Sequence, residues 1–238
     1  MKFLKGLLVL GLIGLGGAFL QASGSINQKD YEDELRDRKV KVEEYLGQVD
    51  GVEKEFVEKI LAREEMDNIV EVWEVTNIDT GESYKNITAI DSSKEIEISA
   101  RIPGLVFYRK GNDRTWIDPN KKTYYSEFFD YSKNKDRSYD IISSNEYTIY
   151  EKFLAGYDKS VEKIGDTYKV TSLDDLNKGS YNIYDLEGNC IESFTDNSQG
   201  RWKSILISKS SNVEEFYNKF EEMKNTYNEV GSIGEIKN

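Results

Sequence analysis

Between Lys94 and Arg101 the chain alternates without a fault, with Ile96, Ile98 and Ala100 on one side and Glu95, Glu97 and Ser99 on the other. A period of two with one dry and one wet face is the mark of an antiparallel strand packed on one side only. The same period, or a Val- and Trp-rich run, predicts strands over Ile69–Asn77 and Ser83–Ile90, joined by the turn Asp79-Thr80-Gly81. It continues over Leu105–Arg109, Arg114–Asp118 and Lys122–Ser126, with turns at Lys110-Gly111-Asn112-Asp113 and Pro119-Asn120-Lys121. Ile102-Pro103-Gly104 predicts a bend, because proline has no ladder donor. After an irregular, tyrosine-rich stretch over 127–160, with a short helix expected near Thr148–Ala155, the alternation resumes. Thr167–Thr171, Ser180–Tyr184, Cys190–Thr195 and Arg201–Ser208 read as strands.

Helical spacing brackets this meander. Tyr31, Leu35, Val42, Leu46 and Val49 make a thin stripe in a highly charged segment, and Val52, Phe56, Val57, Ile60 and Leu61 make a denser one. Gly47 and Gly51 separate the two. Near the C-terminus, Ser211-Asn212-Val213-Glu214 reads as a capping box opening a helix that carries Val213, Phe216, Tyr217, Phe220, Met223 and Tyr227 on one side and ends near Gly231. A helix, a long meander, an interruption, more meander and a helix predict an α+β fold. A meander this long must curl, so the expected architecture is a strongly curved antiparallel β-sheet with helices packed on it.

The N-terminus changes the picture of location. Lys2 and Lys5 precede an uncharged run from Leu7 to Leu20, and Ala22-Ser23-Gly24 offers small residues for cleavage. Residues 1–24 therefore read as a secretory signal cut near Ser25, with an uncleaved anchor as the alternative. The resulting division is a signal over 1–24, a charged helical extension over 25–50, a single α+β domain over 51–230 and a disordered tail over 231–238. The expected location is the periplasm or cell envelope.

The net charge is −12, and the signal contains two lysines and no acid, so about −14 is left after cleavage. Such a surface repels nucleic acid, whose binding depends on phosphate neutralisation. It is equally unsuited to docking by charge on an anionic membrane. Cys190 is the only cysteine, so no intramolecular disulfide can form, and stability must come from an apolar core.

Chemistry is hard to find. The chain has no histidine, which removes the commonest general base, nucleophile activator and metal ligand. No phosphate-binding, dinucleotide-binding or nucleophile-elbow motif occurs. A pair of carboxylates drawn from Asp118, Asp130, Glu146 or Asp196 is the remaining route to catalysis, but 44 acids among 238 residues place one near every loop. Asp113–Asp118 and Asp196–Gly200 hold oxygen ligands without the spacing of a calcium loop and read as turns. The chain is therefore expected to be no enzyme, with no cofactor and no metal.

Two stretches resemble a known family. Ile102–Arg109 followed by Asn112–Pro119, and later Asp196–Ser208, are similar to the strand, Asp-Pro turn and late hairpin of the LolA-like half-barrel proteins, the periplasmic lipoprotein carriers and their relatives. Ile117 stands where an aromatic residue is more usual, and a C-terminal helix replaces the final strands. The resemblance implies that the curved sheet is a half-barrel, with an apolar concave face that binds acyl chains. The expectation is thus an exported carrier or sensor of a lipid, a lipoprotein acyl chain or another hydrophobic ligand, with a membrane-associated lipoprotein as a candidate partner. Ile96 and Ile98 are the first lining candidates, with Val72, Trp116, Tyr124, Ile205 and Ile207. The alternative is a non-enzymatic envelope interaction protein whose core is filled by its own side chains.

Overall fold

The structure, a computed structural model, describes residues 44–61, 68–91, 93–102, 104–130, 159–173, 179–198 and 200–237. The signal over 1–24 with Ser25, most of the charged extension, Pro103, Glu146 and the helix expected at Thr148–Ala155 lie outside the described residues.

In chain order the elements are α1 (Gly51–Leu61), β1 (Asn68–Asn77), β2 (Ser83–Asp91), β3 (Ile96–Ile102), β4 (Val106–Lys110), β5 (Asp113–Asp118) and β6 (Thr123–Phe128). They continue with β7 (Lys159–Ile164), β8 (Thr167–Ser172), β9 (Tyr181–Asp185), β10 (Cys190–Asn197) and β11 (Gly200–Ser210). The last are α2 (Val213–Lys224), β12 (Asn228–Glu229) and α3 (Ile233–Lys237). The fold class is the α+β one expected from the alternation. The strands hydrogen-bond in the order β12-β6-β5-β4-β3-β2-β1-β11-β10-β9-β8-β7, so the sheet is open rather than closed. Among the described residues the chain packs as two compact units, 44–61 with 159–173, 179–198 and 200–203, and 68–91, 93–102 and 104–130 with 204–237.

In the first unit α1 lies on the strands from β7 to β9. Its apolar positions recur three and four apart, so Phe56, Val57 and Ile60 share one buried face, against Tyr168 and Tyr184. Phe56 is fully buried, its ring 5.2 Å from that of Tyr168 and 4.9 Å from that of Tyr184. Glu55, on the rim, accepts hydrogen bonds from Lys163 Nζ and the Tyr168 hydroxyl, each 2.7 Å long. The Lys163 contact leads in holding its carboxyl below the usual range. Gly188, in the β9–β10 turn, has φ +82, and a Cβ there would meet Ile60 Cγ1 at 3.4 Å. Gly188→Ala is therefore expected to cost about 1–2 kcal/mol, the penalty of a left-handed L-residue, read as a lower urea midpoint with unchanged slope.

Across β9 and β10 the Tyr181 hydroxyl donates to Glu192 at 2.9 Å. Burial first, then this carboxylate, push the phenol up to about 12. An unfolded tyrosine ionises near 10. The folded form keeps its proton longer, so this contribution is complete below about pH 10 and is lost as pH rises towards the folded value. Absorbance titration should show one tyrosine ionising near the folded value, and Glu192→Gln should bring it down.

The second unit is a meander of β1 to β6 in unbroken antiparallel register. Its rows decide the faces. Val72, Ile87, Ala100, Val106, Ile117 and Tyr124 stand side by side, and so do Val70, Ala89, Ile98, Tyr108, Thr115 and Ser126. These two rows carry the main core, which α2 covers with Val213, Phe216, Tyr217, Phe220 and Met223. Within this unit α2 contacts β1, β2 and β3, and Phe220 lies 6.0 Å from Tyr108 of β4. Lys224 at its end sits 5.6 Å over the Tyr124 ring of β6. Six flat strands would span about 24 Å, whereas a helix of 12 residues is about 18 Å long. Reaching from β1 to β6 fits the curvature expected of this sheet.

Three local readings change. The helix cap is Asn212, one residue later than the expected box. Its side chain makes no capping bond and donates instead to Glu215 at 2.9 Å. Ile233–Lys237, expected as disordered tail, is a short helix against β5 and β6 with Ile236 buried, because one apolar side chain in a polar segment found cover. Lys159–Ile164, expected to be irregular to residue 160, is the edge strand β7. Its Lys-Ser-Val-Glu-Lys-Ile sequence lacks a clean dry face, as edge strands often do.

Candidate functional site

The dry face of the second unit is the surface on which the sequence placed a ligand, and its residues fall into three groups. Ile96 and Ile98 are 1 % and 0 % exposed and belong to the core under α2, with Val72 and Tyr124 half-buried beside it. Trp116 stands in the alternate row with Phe107 and Tyr125, on the opposite face of the sheet. Parity explains the separation: Ile117, its neighbour, is the residue of β5 that turns inward and is fully buried. Ile205 and Ile207, on β11, are 39 % and 51 % exposed. The expected lining set is thus brought together in part. Ile96, Ile98, Val72 and Tyr124 share one face, filled from above by the protein's own helix.

The opposite face of this unit carries a row that the sequence reading did not single out. Glu97, Arg109, Arg114 and Glu127 follow one another across β3, β4, β5 and β6. Arg109 Nε donates to Glu97 at 2.8 Å, and Arg114 pairs with Glu127. Beside them run Phe107, Trp116 and Tyr125, with the Arg114 guanidinium 5.2 Å over the Trp116 ring. The oppositely charged neighbours are satisfied across the strands, as cross-strand pairing favours.

Beneath the C-terminal half of α2 the dry face turns polar. Moving from β3 to β6, one row runs from Ile98 through Tyr108 and Thr115 to Ser126, and the next from Ile96 through Lys110 and Asp113 to Phe128. Over them, Tyr217, Glu221 and Lys224 form a single helical stripe. Between the two lies a cleft of about 320 Å³. Thr115 and Ser126 share a hydroxyl contact of 2.9 Å on its floor. Tyr108 is 1 % exposed, and its hydroxyl makes no hydrogen bond of normal geometry, although Glu221 and Thr115 lie close enough to act on it. Burial above all, then Glu221, keep this phenol protonated far above its ordinary range. An unsatisfied buried hydroxyl costs about 1–3 kcal/mol. Phe128, 70 % exposed, stands at the mouth.

Of the carboxylates considered for catalysis, Glu146 lies outside the described residues, and Asp118 and Asp196 make local contacts. Asp118 Oδ1 accepts the backbone N–H groups of Asn120 and Lys121 in a turn. Asp196 lies in β10, where its backbone N–H donates to Ser180 Oγ. Among the described residues no group of three or more Cys, Asp or Glu is arranged to hold a metal ion. Cys190 is half-buried at a bulge, its thiol donating to the Glu192 carbonyl. No helix among the described residues is long and apolar enough to cross a membrane.

No family model matches the chain, and no curated protein matches it either. Solved structures do. An uncharacterised conserved protein from Thermus thermophilus is 7 % identical with a TM-score of 0.37, over 76 % of this chain and 88 % of that one. MucB is 10 % identical with a TM-score of 0.34, over 66 % of this chain and 57 % of its own. LolA superfamily protein NE2245 from Nitrosomonas europaea is 12 % identical with a TM-score of 0.27, over 68 % and 94 %.

Proposed function

We propose that this chain is an exported, non-enzymatic binding protein of the cell envelope that meets its partners at its surface and does not enclose an acyl chain. The observation that supports this reading is the filled dry face. Ile98 is fully buried in one cluster with Val213 and Phe220 of α2, so the space that an acyl chain would need is occupied by the protein itself. Native mass spectrometry of the full chain, purified gently from its own host, tests it. The expected spectrum holds the polypeptide mass without a lipid adduct. A retained lipid of defined mass overturns the reading.

A second reading has its own support. Of the twelve residues of α2 only Val213 and Phe220 are fully buried, so the helix is held by few deep contacts. A carrier or sensor could release it and seat a lipid or lipoprotein acyl chain on Ile96, Ile98, Val72 and Tyr124. Export itself rests on the N-terminal pattern. N-terminal sequencing of material outside the cytoplasm is expected to begin at or near Ser25, and Met1 retained in a membrane fraction would make the segment an anchor.

A further inference from the structure

We propose that the cleft between α2 and the ends of β4, β5 and β6 binds a neutral sugar ring. It is the place where the dry face stops being apolar, and it exists while α2 lies on the sheet.

The chemistry of the cleft excludes an ion more than it invites one. Its charges come as opposites. Lys224 Nζ lies 3.7 Å from Glu221, and Asp113 has Lys110 opposite it in register. A charged ligand would have to break one of these pairs and leave its partner uncompensated. A neutral polyol has no such requirement, because each of its hydroxyls donates and accepts, and so can bridge carboxylate and ammonium at once. The floor offers the same kind of group: Thr115 and Ser126 meet hydroxyl to hydroxyl, and the buried Tyr108 hydroxyl lies behind them, close to Glu221 and Thr115 but without a hydrogen bond of normal geometry. Held protonated, that phenol stays a donor throughout the neutral range.

The walls suit a ring that is polar at its edge and apolar on its face. Tyr217 lines the cleft from the helix, and Phe128 stands exposed at its mouth. Aromatic faces take up the C–H face of a sugar while the edge hydroxyls reach polar groups, the division of labour found in small-molecule sites generally. The volume of about 320 Å³ lies at the lower limit of such sites, which suits one ring and not an extended chain.

The test is a panel of immobilised neutral, acidic and amino sugars probed with the full chain, followed by titration of the best-retained soluble glycan. Two variants accompany it. Phe128→Ala alters an exposed side chain, and Thr115→Val removes a hydroxyl at nearly constant volume. Neutral glycans are expected to be retained, and Phe128→Ala should weaken the titrated one at least tenfold with its unfolding midpoint unchanged. Thr115→Val should weaken it as well. Retention of charged sugars alone, no neutral glycan held above the Phe128→Ala background, or full affinity in both variants overturns the proposal. None of these outcomes bears on whether a lipid is carried, which the mass measurement decides separately.

Discussion

Ile98→Asp is expected to abolish the folding of the second unit. Ile98 is fully buried, with Ala89 and Tyr108 as its register partners, and the adjacent Glu97 and Arg109 point to the other face. A carboxylate introduced there has no counter-charge beside it. An uncompensated buried charge costs about 3–5 kcal/mol, and the isoleucine contacts are lost as well. That is comparable to the whole stability of an ordinary domain, about 5–15 kcal/mol. Circular dichroism in the near ultraviolet and urea titration should show a chain without a cooperative transition for this unit. Ile98→Val, which removes one methylene, should cost only about 0.5–1.5 kcal/mol and keep the transition. A folded Ile98→Asp protein with near-native stability would mean that this face opens onto water.

Phe56→Ala should be the most damaging truncation in the first unit. The ring is fully buried between Tyr168 and Tyr184 and is the central contact of α1 with its strands. Removing a buried phenylalanine costs about 3–5 kcal/mol, including the cavity left behind. The helix would then be held chiefly by Val57, Ile60 and the rim contacts of Glu55 with Lys163 and Tyr168. Those rim contacts are exposed to solvent, which screens them. They cannot hold it alone. Urea unfolding followed by far-ultraviolet circular dichroism should show the loss, and a change under about 1 kcal/mol would place Phe56 outside the core.

What could be read from the sequence follows the strength of each local pattern. The strands from Ile69 to Ser126 were legible because their residues alternate and their turns carry Asp, Asn, Gly or Pro, as at Asp118, where the side chain builds the turn itself. β7 was not, because a short edge strand with two lysines and a glutamate has no apolar period to detect. The cap of α2 slipped by one residue because Ser211 and Asn212 are both good caps, and the choice between them lies in backbone geometry. The candidate site was harder for a different reason. Alternation shows that Ile96 and Ile98 share the dry face, and helical spacing shows that Val213, Phe216 and Phe220 form a stripe. Neither period states that the stripe covers that face, since the pairing is a tertiary fact. Trp116 was misplaced by parity alone: Thr115, Trp116 and Ile117 are all compatible with burial, and only the register with β4 shows which way Trp116 points. The polar cleft has no motif at all, because it is assembled from strand ends and one helix stripe.

The central claim is that α2 keeps the dry face closed to acyl chains. Titration of the full chain with a fluorescent fatty acid, dansylaminoundecanoic acid, tests it most directly when combined with hydrogen exchange of the α2 and β3 amides. The account predicts no saturable rise in fluorescence at micromolar probe and unchanged protection of both elements. Saturable one-to-one binding, displaced by unlabelled fatty acid and accompanied by faster exchange in α2, would contradict it and make the helix a lid over a lipid site.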